Sequence, residues 1–351
     1  MSWYKPLPVS RKVVQMTVLL LICLTPVLSR YAYYLNARQL DKVMERFDGS
    51  IQGTLLSATD GAIRTVAAKD IQGDDYVRRN RKDALAAASS IKGTAWSFEL
   101  FGISLTDPLA LLESALASKS LPWVLVLGAL IPILLTILLG RVFCAWLCPV
   151  GFLLEVTGKL RGLLRFLEIK PGRNKLWYGN KYVILVLGLL MATIIGLPFL
   201  GYLYPPALLS REIHSGVTVM YDRAELGKLG FTAAGLTIAS WFLVVIAIVE
   251  IAFGSRMWCR SLCPGGAVYS ALARWRIIRI KRVPENCTHC AECVLACDMG
   301  LNPMTDMTGT ECDNCGACVT SCNDDALDFA FSMKDSIERQ PAIAGQEEAR
   351  T

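Results

Sequence analysis

Eight of the thirteen cysteines in this 351-residue chain fall into two copies of one spacing. Cys287, Cys290, Cys293 and Cys297 read C-x2-C-x2-C-x3-C, and Cys312, Cys315, Cys318 and Cys322 repeat it 25 residues later. Three thiolates on one tight turn can hold three irons of a cubane. In paired arrays of this spacing the fourth cysteine ligates the other cluster. Neither cluster then forms alone, so the segment must fold as one small unit around two [4Fe–4S] clusters. The expected ligand sets are Cys287, Cys290, Cys293 and Cys322 for one, and Cys312, Cys315, Cys318 and Cys297 for the other. Zinc knuckles are the competing reading, but zinc sites usually separate two ligand pairs by a longer spacer. Proline often follows the fourth cysteine of such a run; here Asp298 and Asn323 do.

The rest of the chain is too apolar for an ordinary soluble protein, with 53% hydrophobic residues and a mean hydropathy of +0.42. Blocks of about 20 apolar residues read as membrane-spanning helices. There are four: Val13–Leu35, interrupted by Pro26 and Arg30, then Leu121–Phe143, Tyr182–Tyr204 and Phe231–Phe253. The first is expected to be an uncleaved anchor, with Tyr31, Tyr33 and Tyr34 as an interfacial belt.

Basic residues in short loops set orientation. Lys5, Arg11 and Lys12 precede the first span, and Lys159, Arg161, Arg165, Lys170, Arg173, Lys175 and Lys181 lie between the second and third. Arg256, Arg260, Arg274, Arg276, Arg279, Lys281 and Arg282 follow the fourth. Both termini and the 144–181 loop are therefore expected in the cytoplasm, the protein being a multi-pass membrane one. The net charge of +6 is explained by orientation and implies no nucleic-acid partner. Twelve cysteines fall in the parts expected inside, where thiols stay reduced. The thirteenth, Cys23, is expected as a small apolar residue packed within the first span.

These readings divide the chain into six stretches. Residues 1–35 are a cytoplasmic segment and the first span. Residues 36–120 are a small periplasmic cap, with a short helix over 83–93, an interfacial stretch around Trp96, Phe98, Phe101 and Leu105, and Asp107-Pro108 opening a helix over 109–117. Residues 121–181 hold the second span and a cytoplasmic loop. Residues 182–282 hold the third and fourth spans around an external loop at 205–229. Residues 283–333 form the two-cluster domain, and 334–351 a polar tail that reads as disordered.

A second repeat joins the spans. Arg141, Cys144, Cys148, Pro149 and Gly151 recur 115 residues later as Arg256, Cys259, Cys263, Pro264 and Gly266. Each copy closes an apolar span with a C-x3-C-P element, the mark of a duplicated two-helix unit. On a helix, thiols four apart share a face, and the proline is expected to end or kink that helix. Flanking arginines should favour thiolates. Together the two pairs offer four soft ligands to a further metal or cluster; a reversible disulfide in each pair, or small buried residues, are the alternatives.

With these motifs in hand, the chain resembles NapH-type membrane ferredoxins, quinol dehydrogenase subunits of periplasmic nitrate reductase systems, and the membrane part of the NosR family. The likeness covers residues 10–35 and about 95–330, including Leu100–Pro108 before the second span. It implies a mainly α membrane protein: four transmembrane helices in two duplicated halves, and a C-terminal α+β two-cluster bacterial ferredoxin-like domain. It also implies a subunit of a quinol dehydrogenase that exchanges electrons with the quinone pool. Its implied partners are a periplasmic c-type cytochrome or other redox subunit and a soluble iron–sulfur subunit, within membrane lipid. Residues 40–92 are extra relative to NapH and too short for the flavin domain of NosR, with Thr59 a weak candidate for flavin attachment.

Proteins similar to the FixG/CcoG group combine the same elements, so an accessory reductase for metal-centre assembly is the alternative. A non-enzymatic scaffold that holds a cytochrome is a third reading. Proton-accepting candidates for quinol are sparse: His214 in the external loop, and Glu250 near the cytoplasmic end of the fourth span. Each has a plainer reading, as a loop histidine and as a partner of Arg256. His289 lies between ligands and is expected to tune or shield a cluster, and Arg30 to snorkel.

Overall fold

The computed structural model describes residues 7–67, 83–88, 91–94, 96–100, 102–166, 176–225, 238–254, 256–305 and 309–332. The tail 334–351, the 74–82 charge cluster, Lys170, Arg173, Lys175, Phe101 and the first residues of the fourth apolar block lie outside the described residues. The fold divides into two compact units. One comprises Met1–Gln15, Ile133–Tyr182 and Glu250–Thr351; the other comprises Met16–Pro132 and Val183–Val249.

The first expected span is helix α1 (Leu7–Asn36). It is the one described helix long and apolar enough to cross a membrane by length and composition. Pro26 cannot donate to the carbonyl of Ile22 four residues back. The Thr25 hydroxyl takes that carbonyl instead at 3.0 Å, so the helix runs on. Cys23 is exposed on α1; the expectation that it packs as a small core residue fails, because the packed side of this helix carries Ile22, Val27 and Leu28. The other three apolar blocks contain shorter helices: α6 (Trp123–Leu139), α8 (Asn180–Ile195) and α10 (Ile238–Phe253).

The second unit holds more ordered structure than its composition suggested. After α1 come α2 (Leu40–Arg46), α3 (Ile51–Ala67) and a one-turn helix α4 over 83–88. Tyr31, Tyr34, Val43, Phe47, Leu56, Ala84 and Tyr221 form their common core. Of the helix expected over 83–93, residues 83–88 are helical, and residues 91–94 instead form a strand. Strands β1 (Ile91–Thr94), β2 (Ser97–Leu100) and β3 (Ile103–Thr106) make an antiparallel meander, with Phe98 opposite Leu105. The stretch read as interfacial is thus a sheet. Gly102, at φ 84°, sits between β2 and β3, where a left-handed residue suits the reversal.

Helix α5 (Pro108–Ser118) opens as expected: Asp107 is its N-cap and accepts from the Leu109 amide at 2.8 Å. The 205–229 stretch, expected as a loop, is mostly helix α9 (Pro205–Glu225), started by Pro205-Pro206.

The first unit contains the two cysteine systems. Around the C-x3-C-P elements lie α7 (Pro149–Phe166), α11 (Met257–Ser261) and α12 (Pro264–Leu272). The two arrays are framed by an antiparallel pair of strands, β4 (Ile278–Arg282) and β5 (Leu327–Phe331). They enclose the short helices α13 (Glu292–Leu295) and α14 (Ala317–Thr320). Ile280, Val319, Leu327, Cys293, Cys312 and Cys318 share one core. The α+β character expected for this segment is present, and its first strand starts at Ile278, ahead of residue 283.

Candidate functional site

Each array winds its cysteines by the same backbone device. His289 and Ala291 have φ of 59° and 62°, and their counterparts 25 residues on, Asn314 and Gly316, have 51° and 76°. Two left-handed residues in one short stretch turn successive cysteines inward and open α13 and α14. An open pocket is lined by Cys287, Cys290, Cys293 and Cys322, with His289 and Arg282 at its wall. Cys290 and His289 are exposed, so this pocket borders solvent. Cys312 and Cys297 lie within electrostatic reach of Cys318, and Cys312 also of Cys315. Burial pushes the Cys297 thiol up to about 11 and raises those of Cys312 and Cys315. Buried thiolates at such positions need a cation. Among the described residues no three His, Cys, Asp or Glu side chains converge on a single metal ion. Both donor sets are soft and all-thiol, and the Cys287, Cys290, Cys293 and Cys322 set lines a pocket; such donors fit an iron–sulfur cluster.

The C-x3-C-P elements depart from the helix expected for them. Residues 143–147 form a π-helical turn, and Cys148 then turns extended. Its amide bonds to the carbonyl of Phe143 at 2.8 Å; the Cys263 amide bonds likewise to Trp258 at 2.9 Å. Cys148 and Cys263 share φ, ψ near −67°, 114° and −69°, 117°. The reason is the proline: it pushes the preceding residue out of the α region and sits well at the first position of a new helix. The second cysteine of each pair therefore heads the next helix. Cys263 caps α12, its sulfur accepting from the Gly266 amide at 3.4 Å, and helix N-termini favour thiolates. The four cysteines are mutual electrostatic neighbours: Cys259 sits by Cys263 and Cys148, and Cys263 by Cys144. The arginines do not win the contest expected of them. Burial raises all four thiols, Cys148 and Cys263 to about 12, and Arg141 and Arg256 only temper it.

Between the two cysteine systems runs a buried ionic network that spacing alone did not reveal. Arg141 Nη1 meets Glu311 Oε2 at 2.8 Å, and Lys181 joins the same carboxylate. Arg256 Nη1 meets Asp313 Oδ2 at 2.6 Å and Arg256 Nη2 meets Glu155 Oε1 at 3.2 Å. Arg11 reaches Glu155 at 2.6 Å. The available signal was carboxylates on either side of Cys312, facing arginines at matched repeat positions.

The proton-acceptor candidates fall in different units. Glu250 is buried and accepts from the amides of Met257 and Trp258 at 3.0 and 2.7 Å, so it caps α11. His214 is exposed on α9, in the other unit. Thr59 donates its hydroxyl to the Leu55 carbonyl of its own helix at 2.7 Å.

The 4Fe-4S binding domain family matches residues 121–167 and 234–282, each stretch containing one C-x3-C-P element. The ferredoxin-type protein NapH of Haemophilus influenzae is 31% identical over 249 residues, covering 67% of this chain and 78% of the relative. The chain belongs to the NapH-type ferredoxin family. An uncharacterized protein of Methanocaldococcus jannaschii is 32% identical over 207 residues, 58% of this chain and 77% of the relative. The methylamine utilization ferredoxin-type protein MauN of Paracoccus denitrificans is 30% identical over 221 residues, 61% of this chain and 68% of that protein. No solved structure matches. A NapH-type chain is an iron–sulfur electron-transfer protein, and α1 together with the family indicates association with a membrane.

Proposed function

We propose that this NapH-type chain is a bacterial inner-membrane electron-transfer subunit that oxidises quinol and serves a periplasmic respiratory redox partner. The observation that carries the reading is the pocket lined by Cys287, Cys290 and Cys293 of the first array together with Cys322 of the second. Cys287, Cys290, Cys293 and Cys322 hold one cluster, and Cys312, Cys315, Cys318 and Cys297 the other. Cys144, Cys148, Cys259 and Cys263 form a joint third site, each half of a duplicated unit giving two ligands. The family description attached to those two stretches favours metal over a disulfide there. Bound clusters supply one-electron transfer. The chain's own residues supply thiolates, helix N-termini at Cys148 and Cys263, and cations that offset the thiolate charge.

Four spans fit the outward residues of α6, α8 and α10. Val124, Leu127, Leu187, Ile194 and Ile248 are 57–78% exposed, which suits lipid better than water. Their 16–17 described residues reach about 25 Å at ~1.5 Å per residue, close to the ~30 Å hydrocarbon core. Both termini face the cytoplasm in this reading. A c-type cytochrome and a soluble iron–sulfur subunit are the partners the family resemblance implies.

Anaerobic addition of a quinol to the detergent-purified chain tests the function. Quinol should bleach the cluster absorbance that dithionite bleaches. Dithionite bleaching without any quinol response would remove quinol oxidation and leave electron transfer from another donor.

A further inference from the structure

The ionic network reaches selected parts of the cluster domain. Glu311 and Asp313 flank Cys312, and Asp298 follows Cys297. All three carboxylates adjoin ligands of the same proposed cluster, and all three are met by Arg141 or Arg256. Arg141 also donates to the Glu311 carbonyl at 3.1 Å, and Arg256 Nε lies 3.7 Å from Asp298. Asp298 stands where proline often stands in such arrays, so this departure provides a contact. Trp146, between Cys144 and Cys148, donates to the Asn314 carbonyl at 3.4 Å.

We propose that Arg141 and Arg256 are positioning residues that seat the Cys297, Cys312, Cys315 and Cys318 ligand set against the four C-x3-C-P cysteines, leaving the Cys287, Cys290, Cys293 and Cys322 set to face solvent. This deepens the function proposed above and rests on its ligand assignments. Both arginine side chains are 5% exposed or less, and Asp313 is 3% exposed. Burying such pairs is an expensive route to stability, since apolar residues of similar volume often do as well. What a planar guanidinium adds is fixed geometry: its fork sets distance and orientation at once. Arg256 lies within electrostatic reach of Cys259 on one side and Cys315 on the other. The repeat supplies one such arm from each half, gripping both sides of Cys312.

Hydrogen exchange on the purified full-length chain tests this, with electron paramagnetic resonance following each cluster. In Arg256→Gln and Arg141→Gln, amides at 309–320 should exchange about a hundredfold faster or more, as for a broken buried pair. Amides at 287–293 should hold their rates, and iron and sulfide content should stay near wild type. Arg256→Lys and Asp313→Asn, milder changes, should give smaller increases confined to the same stretch; the lysine variant keeps the charge and loses the fork. Unchanged exchange at 309–320 in the glutamine variants would overturn the proposal. So would uniform loosening with loss of both clusters in all four variants, which would make the pairs a general folding requirement. If the wild-type chain holds no clusters, the functional reading fails, while the exchange pattern still decides the seating.

Discussion

Glu250 accepts a hydrogen bond from the Trp258 amide at 2.7 Å, one residue before the first cysteine of the second C-x3-C-P element. Its other oxygen takes the Met257 amide. A carboxylate engaged in this way anchors the turn that opens α11. Glu250→Ala should cost about 1–3 kcal/mol of stability, as for a buried amide left unpaired, read by thermal melting in detergent. The apparent KM for quinol should not change. Unaltered melting with a shifted pH–rate profile would make Glu250 a proton acceptor instead of an anchor.

Serine at Cys144, Cys148, Cys259 or Cys263 should impair quinol-dependent electron transfer and lower metal content above the two-cluster complement. The spectra of the two array clusters should persist. Full activity of the Cys144→Ser/Cys148→Ser double variant would reduce these residues to packing. Normal metal with loss of a redox-active disulfide would favour thiol chemistry.

Cys297→Ser should damage the cluster whose other ligands are Cys312, Cys315 and Cys318, and spare the one by the solvent-facing pocket. The two arrays should contribute about eight iron and eight sulfide per chain, as two cubanes require. Stoichiometric zinc, or iron without labile sulfide, defeats the assignment.

Glu113 on α5 is fully buried and accepts from the Leu200 amide at 2.5 Å. Burial raises its pKa, against the lowering effect of the amides of Leu200, Phe199 and Gly201. A carboxyl raised on folding binds more protons folded than unfolded. Its stabilising contribution is complete below the unfolded value and declines as pH rises through the folded one. Glu113→Gln keeps the acceptor and removes the buried charge, so it should flatten the melting-temperature profile above pH 4.5. A parallel decline in both proteins would refute this.

Reporter fusions at Gly73, Gly227 and Thr351 should read outside, outside and inside by the distribution of short-loop basic residues. An external C-terminus would put the clusters on the opposite side of the membrane.

Cysteine spacing and the clustering of apolar residues made the iron–sulfur class, the family and the helical, membrane-associated character legible in the sequence, because ligand geometry and hydropathy act over short stretches of chain. Asp107 capping α5 was legible for the same local reason. The π-turn before Cys148, the three strands read as an interfacial stretch, and α9 in place of a loop were decided by hydrogen bonds and packing with neighbouring elements. So was the balance at the C-x3-C-P thiols: an arginine three residues away is visible in the sequence, but the desolvation that outweighs it comes only from packing. Arg256 and Asp313 lie 57 residues apart, a separation no local pattern links. Only the folded chain closes that distance, removes water from the pair, and sets a repeat arginine against the carboxylate beside Cys312.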